Sequence, residues 1–147
     1  NDTLENRMKF PLDVLDAVRK RVGDEFIIGF RYTADEAQKG GITAKDGLEI
    51  SKRLSETGQL DFLNVIRGRI HTDADLTNVI PVQGMPSAPH LDFAGEVKKL
   101  TGMPTFHASR IPDVATARHA IENNLLDMVG MTRAHMADPH IVKKIIE

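Results

Sequence analysis

Apolar residues follow two alternating spacings along this chain, and the alternation predicts helices that are each followed by a strand. Residues 4–22 carry apolar side chains at steps of three and four, the pattern of an amphipathic helix. Residues 26–32 form a nearly continuous apolar run, which is typical of a strand buried on both faces of a parallel sheet. A second helix is predicted over residues 44–57 and a second strand over residues 61–67.

The second half of the chain repeats this order of elements. Short apolar runs again precede stretches with helical spacing, and the helices have recognisable starts. The predicted elements of this half are a helix over residues 90–100, a strand ending at Ser109, a helix capped by Asp113, a strand ending at Thr132, a turn over residues 134–137 and a last helix opened by Asp138 and Pro139.

Three details qualify this pattern. Asp2 and Glu5 have the spacing of a capping box at the start of the first helix, and Pro11 is expected to kink that helix or to begin a new turn. Residues 69–89 show no periodicity and contain several prolines, so we expect a long loop there. Loops of this length inside a compact domain are usually functional.

Four strands that are each followed by a helix favour an α/β fold with parallel pairing and right-handed crossovers. Four parallel strands are few for such a fold, and the chain opens on a helix with no strand before it. A closed (β/α)8 barrel takes about 250 residues. We therefore expect residues 1–147 to be the C-terminal half of a TIM barrel, about four βα units that correspond to strands five to eight. The alternative is a complete four-stranded open sheet.

Composition narrows the classes of function. The 147 residues carry a formal charge of −2 and no cysteine, which argues against nucleic acid as a partner and excludes thiolate metal sites in this stretch. No apolar run approaches the roughly 20 residues of a membrane span, and we expect a soluble, cytoplasmic protein without a membrane partner. His71, Asp73 and Asp75 have a spacing that could suit a metal, but such loops are more often solvated, so no metal is assigned.

Two predicted strands end alike, with a hydroxyl residue and an arginine: Ser109-Arg110 and Thr132-Arg133. Neighbouring parallel strands would direct both arginines to one edge of the sheet. In an α/β barrel, the loops after the last two strands form the usual phosphate site. Guanidinium groups and backbone N–H groups at a helix start suit a phosphate dianion. The sequence therefore predicts a phosphate site between these strand ends.

Residues 1–11, NDTLENRMKFP, begin a set of motifs that covers essentially the whole chain. The set resembles the old yellow enzyme family of FMN-dependent oxidoreductases, which includes 2,4-dienoyl-CoA reductase and trimethylamine and histamine dehydrogenases. Residues 65–68 and 79–95 resemble more narrowly the subgroup that demethylates N-methylproline and dimethylglycine. The other matching segments are Gly29-Phe30-Arg31, Gly40-Gly41-Ile42-Thr43, residues 61–65, Ser109-Arg110-Ile111, residues 130–134 and Ala137-Asp138-Pro139.

The resemblance implies FMN as the cofactor and a role for particular residues. Arg31, expected at the C-terminal end of its strand, would lie against the N1–C2 region of the flavin. The alternative is an ion pair with a barrel carboxylate from the missing half of the barrel. Ser109, Arg110, Thr132 and Arg133 would bind the FMN phosphate. Many relatives have glycine where Ser109 and Thr132 stand, so the backbone and the arginines are expected to contribute most.

The loop after the second strand would shape the substrate pocket in this family. Arg67 and Arg69 are candidates to meet the carboxylate of an amino-acid substrate, although a solvated arginine is an equal alternative. His107 either faces the barrel interior near the flavin or packs with its ring hydrogen-bonded. No catalytic residue is assigned, because the family's substrate-binding pair belongs to the first half of the barrel.

We therefore expect a fragment of an enzyme that oxidises an N-methyl amine, with a small-molecule amine or enone as substrate. The alternatives are an ene-reductase like 2,4-dienoyl-CoA reductase and a fragment with the fold but no activity in isolation. A 4Fe-4S cluster could follow in the parent protein beyond this chain. Because half a barrel leaves open edges and an apolar inner face, the fragment is expected to be a homo-oligomer. We expect that face to include Ile27, Leu63, Val65, Phe106 and Met128.

Overall fold

In the computed structural model, which describes residues 3–147, four parallel strands form one sheet whose spatial order follows the chain. Helices make the connections, so the predicted α/β fold of strand–helix units is confirmed. The strands are β1 (Gly29–Asp35), β2 (Phe62–Arg67), β3 (Thr105–His107) and β4 (Met128–Val129). The helices are α1 (Leu4–Val22), α2 (Ala44–Glu56), α3 (Asp73–Val79), α4 (Leu91–Thr101), α5 (Val114–Glu122), α6 (Thr132–Ala137) and α7 (Ile141–Ile146).

Helix α1 has the predicted bounds but a different cap. The Thr3 hydroxyl accepts a hydrogen bond from the backbone N–H of Asn6 at 3.2 Å, which satisfies a free donor of the first turn. Asp2, predicted as the cap, lies outside the described residues. A single helix of 19 residues runs through Pro11 without a new start, and Gly23, with φ of 79°, ends it.

Strand β1 begins three residues later than predicted, at Gly29, and continues to Asp35. The apolar run before it is not buried, since Phe26 is 60% exposed and Ile27 is 71% exposed. Parallel pairing starts only where Gly29 faces Phe62 on β2. Apolarity therefore located the strand, but the register with β2 set its ends.

The predicted loop over residues 69–89 contains one element that the periodicity missed. Helix α3 occupies Asp73–Val79, and the Thr72 hydroxyl caps it by accepting from the N–H of Asp75 at 3.1 Å. Two turns of helix are too short to show an apolar stripe.

The last predicted elements also shift. Residues 132–137, expected as a strand end and a turn, form helix α6. Helix α7 starts at Ile141 rather than at Pro139, and the Asp138 carboxylate accepts from the N–H of His140 at 3.1 Å.

The two faces of the sheet differ. Leu63 and Val65 of β2 are buried in a cluster with Leu54 of α2, so this face packs on the helices. They do not line the open inner face as expected, because side chains alternate along a strand. The opposite face carries the row Arg31, Asn64, Phe106 and Met128, which the strand register places side by side. In the part of the chain described, no helix combines the length and apolarity needed to cross a bilayer.

Candidate functional site

The carboxyl ends of the four strands meet at one edge of the sheet, where parallel α/β proteins build their sites. Strand β3 ends at His107 and β4 at Val129, so both hydroxyl–arginine pairs come just after strands that are paired to each other. Arg110 follows in the loop after β3, and Arg133 is the second residue of α6. The sheet therefore brings the carboxyl ends of β3 and β4, which precede Arg110 and Arg133, to the same edge.

Ser109 and Arg110 carry polar atoms that nothing among residues 3–147 satisfies. Ser109 is 6% exposed, and both its Oγ and the Nε of Arg110 are buried without a hydrogen-bond partner. Arg110 also has a φ of 47°, in the left-handed region that non-glycine residues seldom adopt. A buried unsatisfied donor costs about 1–3 kcal/mol, and backbone strain of this kind concentrates at ligand sites. Two such donors in adjacent residues suit an anionic oxygen ligand.

The second pair has a different environment. Thr132 and Arg133 are exposed in the first turn of α6, and Arg133 donates from Nη1 to the backbone carbonyl of Pro81 at 3.0 Å. At Gly130, a Cβ would come within 2.4 Å of the Cβ of Ala108, so only glycine allows this approach between the ends of β3 and β4. One guanidinium nitrogen of Arg133 is thus already engaged by protein.

Arg31 lies in the middle of β1 rather than at its carboxyl end. It is the third residue of the strand, pairs in register with Asn64 and is exposed on the open face. Among the described residues Arg31 forms no ion pair, and a carboxylate from the missing half of the barrel stays the alternative partner. Its side chain belongs to the face that a closed barrel would turn inward.

Arg67, a candidate for binding a substrate carboxylate, already has a carboxylate partner. Its Nη2 lies 2.6 Å and its Nε 3.1 Å from Oδ2 of Asp35, and its guanidinium stacks 4.9 Å from the ring centre of Phe93. Asp35 is buried, so this pair ties the ends of β1 and β2 together.

Arg69 is less fully engaged. Its Nη2 is 3.2 Å from Oδ2 of Asp75, while its Nε is buried without a partner among residues 3–147. Asp75 is thus the ion-pair partner of Arg69. Across residues 3–147, no three His, Cys, Asp or Glu side chains are grouped so that they could hold a metal ion.

Two histidines, His107 buried and His90 half-buried, were not anticipated as a pair from the sequence. Nδ1 of His107 is 2.8 Å from the carbonyl of Val65, and Nε2 of His90 is 2.6 Å from the carbonyl of Asn78. Because a carbonyl only accepts, each of these nitrogens carries a proton. The rings lie 6.4 Å apart edge to face. His107 shares its register row with Val65, on the helix side of the sheet, so it packs and hydrogen-bonds rather than facing the barrel interior.

Burial lowers the pKa of both histidines below the ordinary 6.5, and the positive charge of Arg67 lowers it further. Nδ1 of His90 and Nε2 of His107 have no hydrogen-bond partner in the described chain. Spacing gave no signal for this pair, since His90 and His107 are separated by the whole of α4.

The amino-acid sequence was compared with protein families and with known proteins, and the matches agree with one another. A model of the NADH:flavin oxidoreductase / NADH oxidase family matches residues 3–147. The chain is 67% identical over 145 residues to a probable N-methylproline demethylase of Rhizobium meliloti (strain 1021), covering 99% of this chain and 21% of that protein. It is 47% identical over 141 residues to the multifunctional alkene reductase/demethylase OYE of Caballeronia cordobensis, covering 95% and 20%.

A solved structure of a 2-naphthoyl-CoA reductase in complex with 2-naphthoyl-CoA has a similar fold. Its TM-score is 0.84 at 25% identity, and the match covers 99% of this chain and 22% of that one. The chain thus spans about a fifth of the length of the relatives that it matches.

Proposed function

Because this chain belongs to the NADH:flavin oxidoreductase / NADH oxidase family, we propose that it is part of a longer FMN-dependent enzyme that removes N-methyl groups from an amino acid such as N-methylproline. The observation that carries the substrate class is the 67% identity over 145 residues to a probable N-methylproline demethylase. The parallel sheet would be the second half of the enzyme's (β/α)8 barrel, with β1 to β4 as its strands five to eight.

The residues at the sheet edge fit the phosphate end of such a cofactor. The buried Oγ of Ser109 and Nε of Arg110 are donors without acceptors within residues 3–147, and a phosphate oxygen would satisfy both. Thr132 and the remaining N–H donors of Arg133 would complete the contacts from α6. Arg31, a cation on the open face, would lie beside the flavin ring and favour negative charge on it.

When bound, the cofactor would supply the acceptor for a hydride from the N-methyl carbon of the substrate. Loss of that hydride would leave the substrate as an iminium ion, and addition of water to it would release formaldehyde and the demethylated amine. The protein's own residues would orient the substrate. Arg69, whose Nε has no acceptor among residues 3–147, is the better candidate for the substrate carboxylate, because two nitrogens of Arg67 are committed to Asp35.

A second candidate function is reduction of an activated alkene. It is favoured by the 47% identity to a protein named as both an alkene reductase and a demethylase. We propose further that residues 1–147 alone have the fold without the activity, since this face of the sheet needs the rest of a barrel to enclose a substrate.

The test uses the intact parent enzyme under anaerobic conditions. N-methylproline is expected to bleach the flavin absorbance and to release formaldehyde in an amount equal to the flavin reduced, whereas proline, which lacks the methyl group, should do neither. An enzyme that ignores N-methylproline but, once reduced by NADH, is reoxidised by an enone would overturn the demethylase proposal in favour of the alkene reductase.

A further inference from the structure

The segment between β2 and α4, residues 69–90, is called here the mouth loop. It is attached to both arginines of the candidate phosphate site. The Arg133 guanidinium donates to the carbonyl of Pro81 at 3.0 Å, and the N–H of Ala88 donates to the carbonyl of Arg110 at 2.8 Å. These two hydrogen bonds connect the mouth loop to the segments that follow β3 and β4.

The bond at Pro81 joins an exposed arginine to a buried residue. The Pro81 side chain is less than 2% exposed, whereas Arg133 is exposed and its bond to the Pro81 carbonyl is half-buried. A charged donor makes a stronger bond to a carbonyl than a neutral one. Arg133 supplies that donor from 52 residues further along the chain.

The ends of the mouth loop are held by other contacts. At its start, Arg69 pairs with Asp75, and at its end His90 bonds the carbonyl of Asn78. Between α3 and α4, Val82, Gln83 and Gly84 form an exposed tip that is closed by a hydrogen bond from the N–H of Met85 to the carbonyl of Val82 at 3.2 Å. The bonds at Pro81 and Ala88 attach this tip to the residues that follow β3 and β4.

We propose that Arg133 is a positioning residue for the mouth loop as well as a phosphate contact, so that phosphate binding and loop order reinforce each other. Its Nη1 holds Pro81 and its other N–H groups face no protein acceptor among residues 3–147. A phosphate bound by those groups would fix the guanidinium and with it the loop. By linkage, an ordered loop would strengthen phosphate binding by the same factor. The phosphate half of this inference rests on the proposed function, whereas the loop-holding half does not.

Hydrogen–deuterium exchange of the intact parent enzyme tests both halves. The reporting amides are those of Met85, which donates to the Val82 carbonyl at 3.2 Å, and of Ala88, which donates to the Arg110 carbonyl at 2.8 Å. Without FMN, Arg133→Gln is expected to speed their exchange about tenfold, because one charge-assisted hydrogen bond is lost. The matched control is Arg118→Gln, an exposed arginine on α5 whose partner is Glu122 of the same helix at 4.0 Å. It should leave the exchange unchanged.

FMN supplies the second readout. It should slow exchange at Met85 and Ala88 in the unsubstituted enzyme and have much less effect in Arg133→Gln. Arg133→Lys, which keeps one charged donor, should recover part of both effects. Weaker FMN binding with unchanged loop exchange in the FMN-free variant would overturn the proposal and leave Arg133 a phosphate ligand only. If Arg133→Gln does not fold, Arg133→Lys decides by the same two measurements. If the enzyme fails to oxidise N-methylproline but shows these exchange changes, the proposed substrate is wrong and the inference about the mouth loop still holds.

Discussion

At the scale of single residues, the backbone and the side chain of Arg110 point to the same interpretation. Its φ of 47° lies in the left-handed region, which is disfavoured for a residue that has a Cβ. Its Nε is buried without an acceptor in the described chain. Each feature costs on the order of 1 kcal/mol or more. The simplest compensation is a ligand that accepts from this guanidinium.

We predict that Arg110→Ala in the intact enzyme weakens FMN binding by about 2–3 kcal/mol, the loss expected when a charge-assisted bond is removed and its partner is left unpaired. Alanine has the same Cβ at the strained φ, so the comparison isolates the guanidinium. Equilibrium titration of the apo-enzyme with FMN measures the change, and Arg118→Ala is the control. Equal affinity for the variant and the unsubstituted enzyme would contradict the phosphate role.

A second residue-scale prediction concerns Arg31. Arg31→Met should lower the two-electron potential of the bound flavin by about 30 mV or more, because a fixed cation favours the reduced, more negative ring; 30 mV corresponds to about 1.4 kcal/mol. Arg31→Lys, which keeps the charge, should shift it less. Dye-coupled redox titration gives the potential. A potential that does not move in Arg31→Met would place this side chain away from the ring.

At the scale of elements, the histidine pair links strand β3 to the start of helix α4. Both rings are held by backbone carbonyls of other elements, β2 for His107 and α3 for His90. Burial and the charge of Arg67 lower the pKa of both groups in the folded state. The unfolded chain therefore binds more protons than the folded one once the pH falls below about 6.5.

We predict that the free energy of unfolding decreases as the pH is lowered from about 7.5 to about 5.5, since stability rises with pH wherever the unfolded state holds more protons. His107→Asn should flatten this dependence and cost about 1–3 kcal/mol at the higher pH through the lost bond to Val65. Urea titrations at both pH values provide the measurement, with the exposed His71→Asn as control. A slope that is as steep in His107→Asn as in the unsubstituted chain would exclude His107 as its source.

At the scale of the whole molecule, the sheet is covered on one side only. Its helix side buries Leu63 and Val65, whereas the other side leaves Met128 42% exposed beside Phe106. Strands β1 and β4 each have an edge without a partner strand in the sheet of residues 3–147. Unpaired edges and exposed apolar side chains favour association.

We propose that residues 1–147, when isolated, associate into a homodimer or a higher oligomer, with open sheet edges pairing across a twofold axis. Multi-angle light scattering at micromolar concentration should give at least twice the mass of 16.3 kDa calculated for the chain. Substituting lysine for the exposed Met128 should shift the equilibrium toward monomer, because a charge would enter the shared face. A monomer mass with cooperative unfolding would contradict this prediction.

The order of elements follows directly from the sequence. Amphipathic spacing located α1 with its observed bounds, and Asp113 was correctly expected to cap α5, where its carboxylate accepts from Thr116 at 2.7 Å. The parallel sheet follows from the strand–helix alternation, because a strand that returns through a helix pairs in parallel. The positions of the hydroxyl–arginine pairs after β3 and β4 follow from the same topology. Local patterns suffice for these features, since capping and helical periodicity act within a few residues.

Tertiary structure alone decided which partners the candidate residues have. The sequence offered Arg67 and Arg69 as equivalents, but the register between β1 and β2 brings Asp35 to Arg67 at 2.6 Å and leaves Nε of Arg69 without a partner among residues 3–147. In the same way, the fold carries Pro81 to Arg133 across 52 residues. Periodicity reports which side of an element is buried, whereas ion pairs and hydrogen bonds between distant segments depend on register and crossing geometry, which no local pattern encodes.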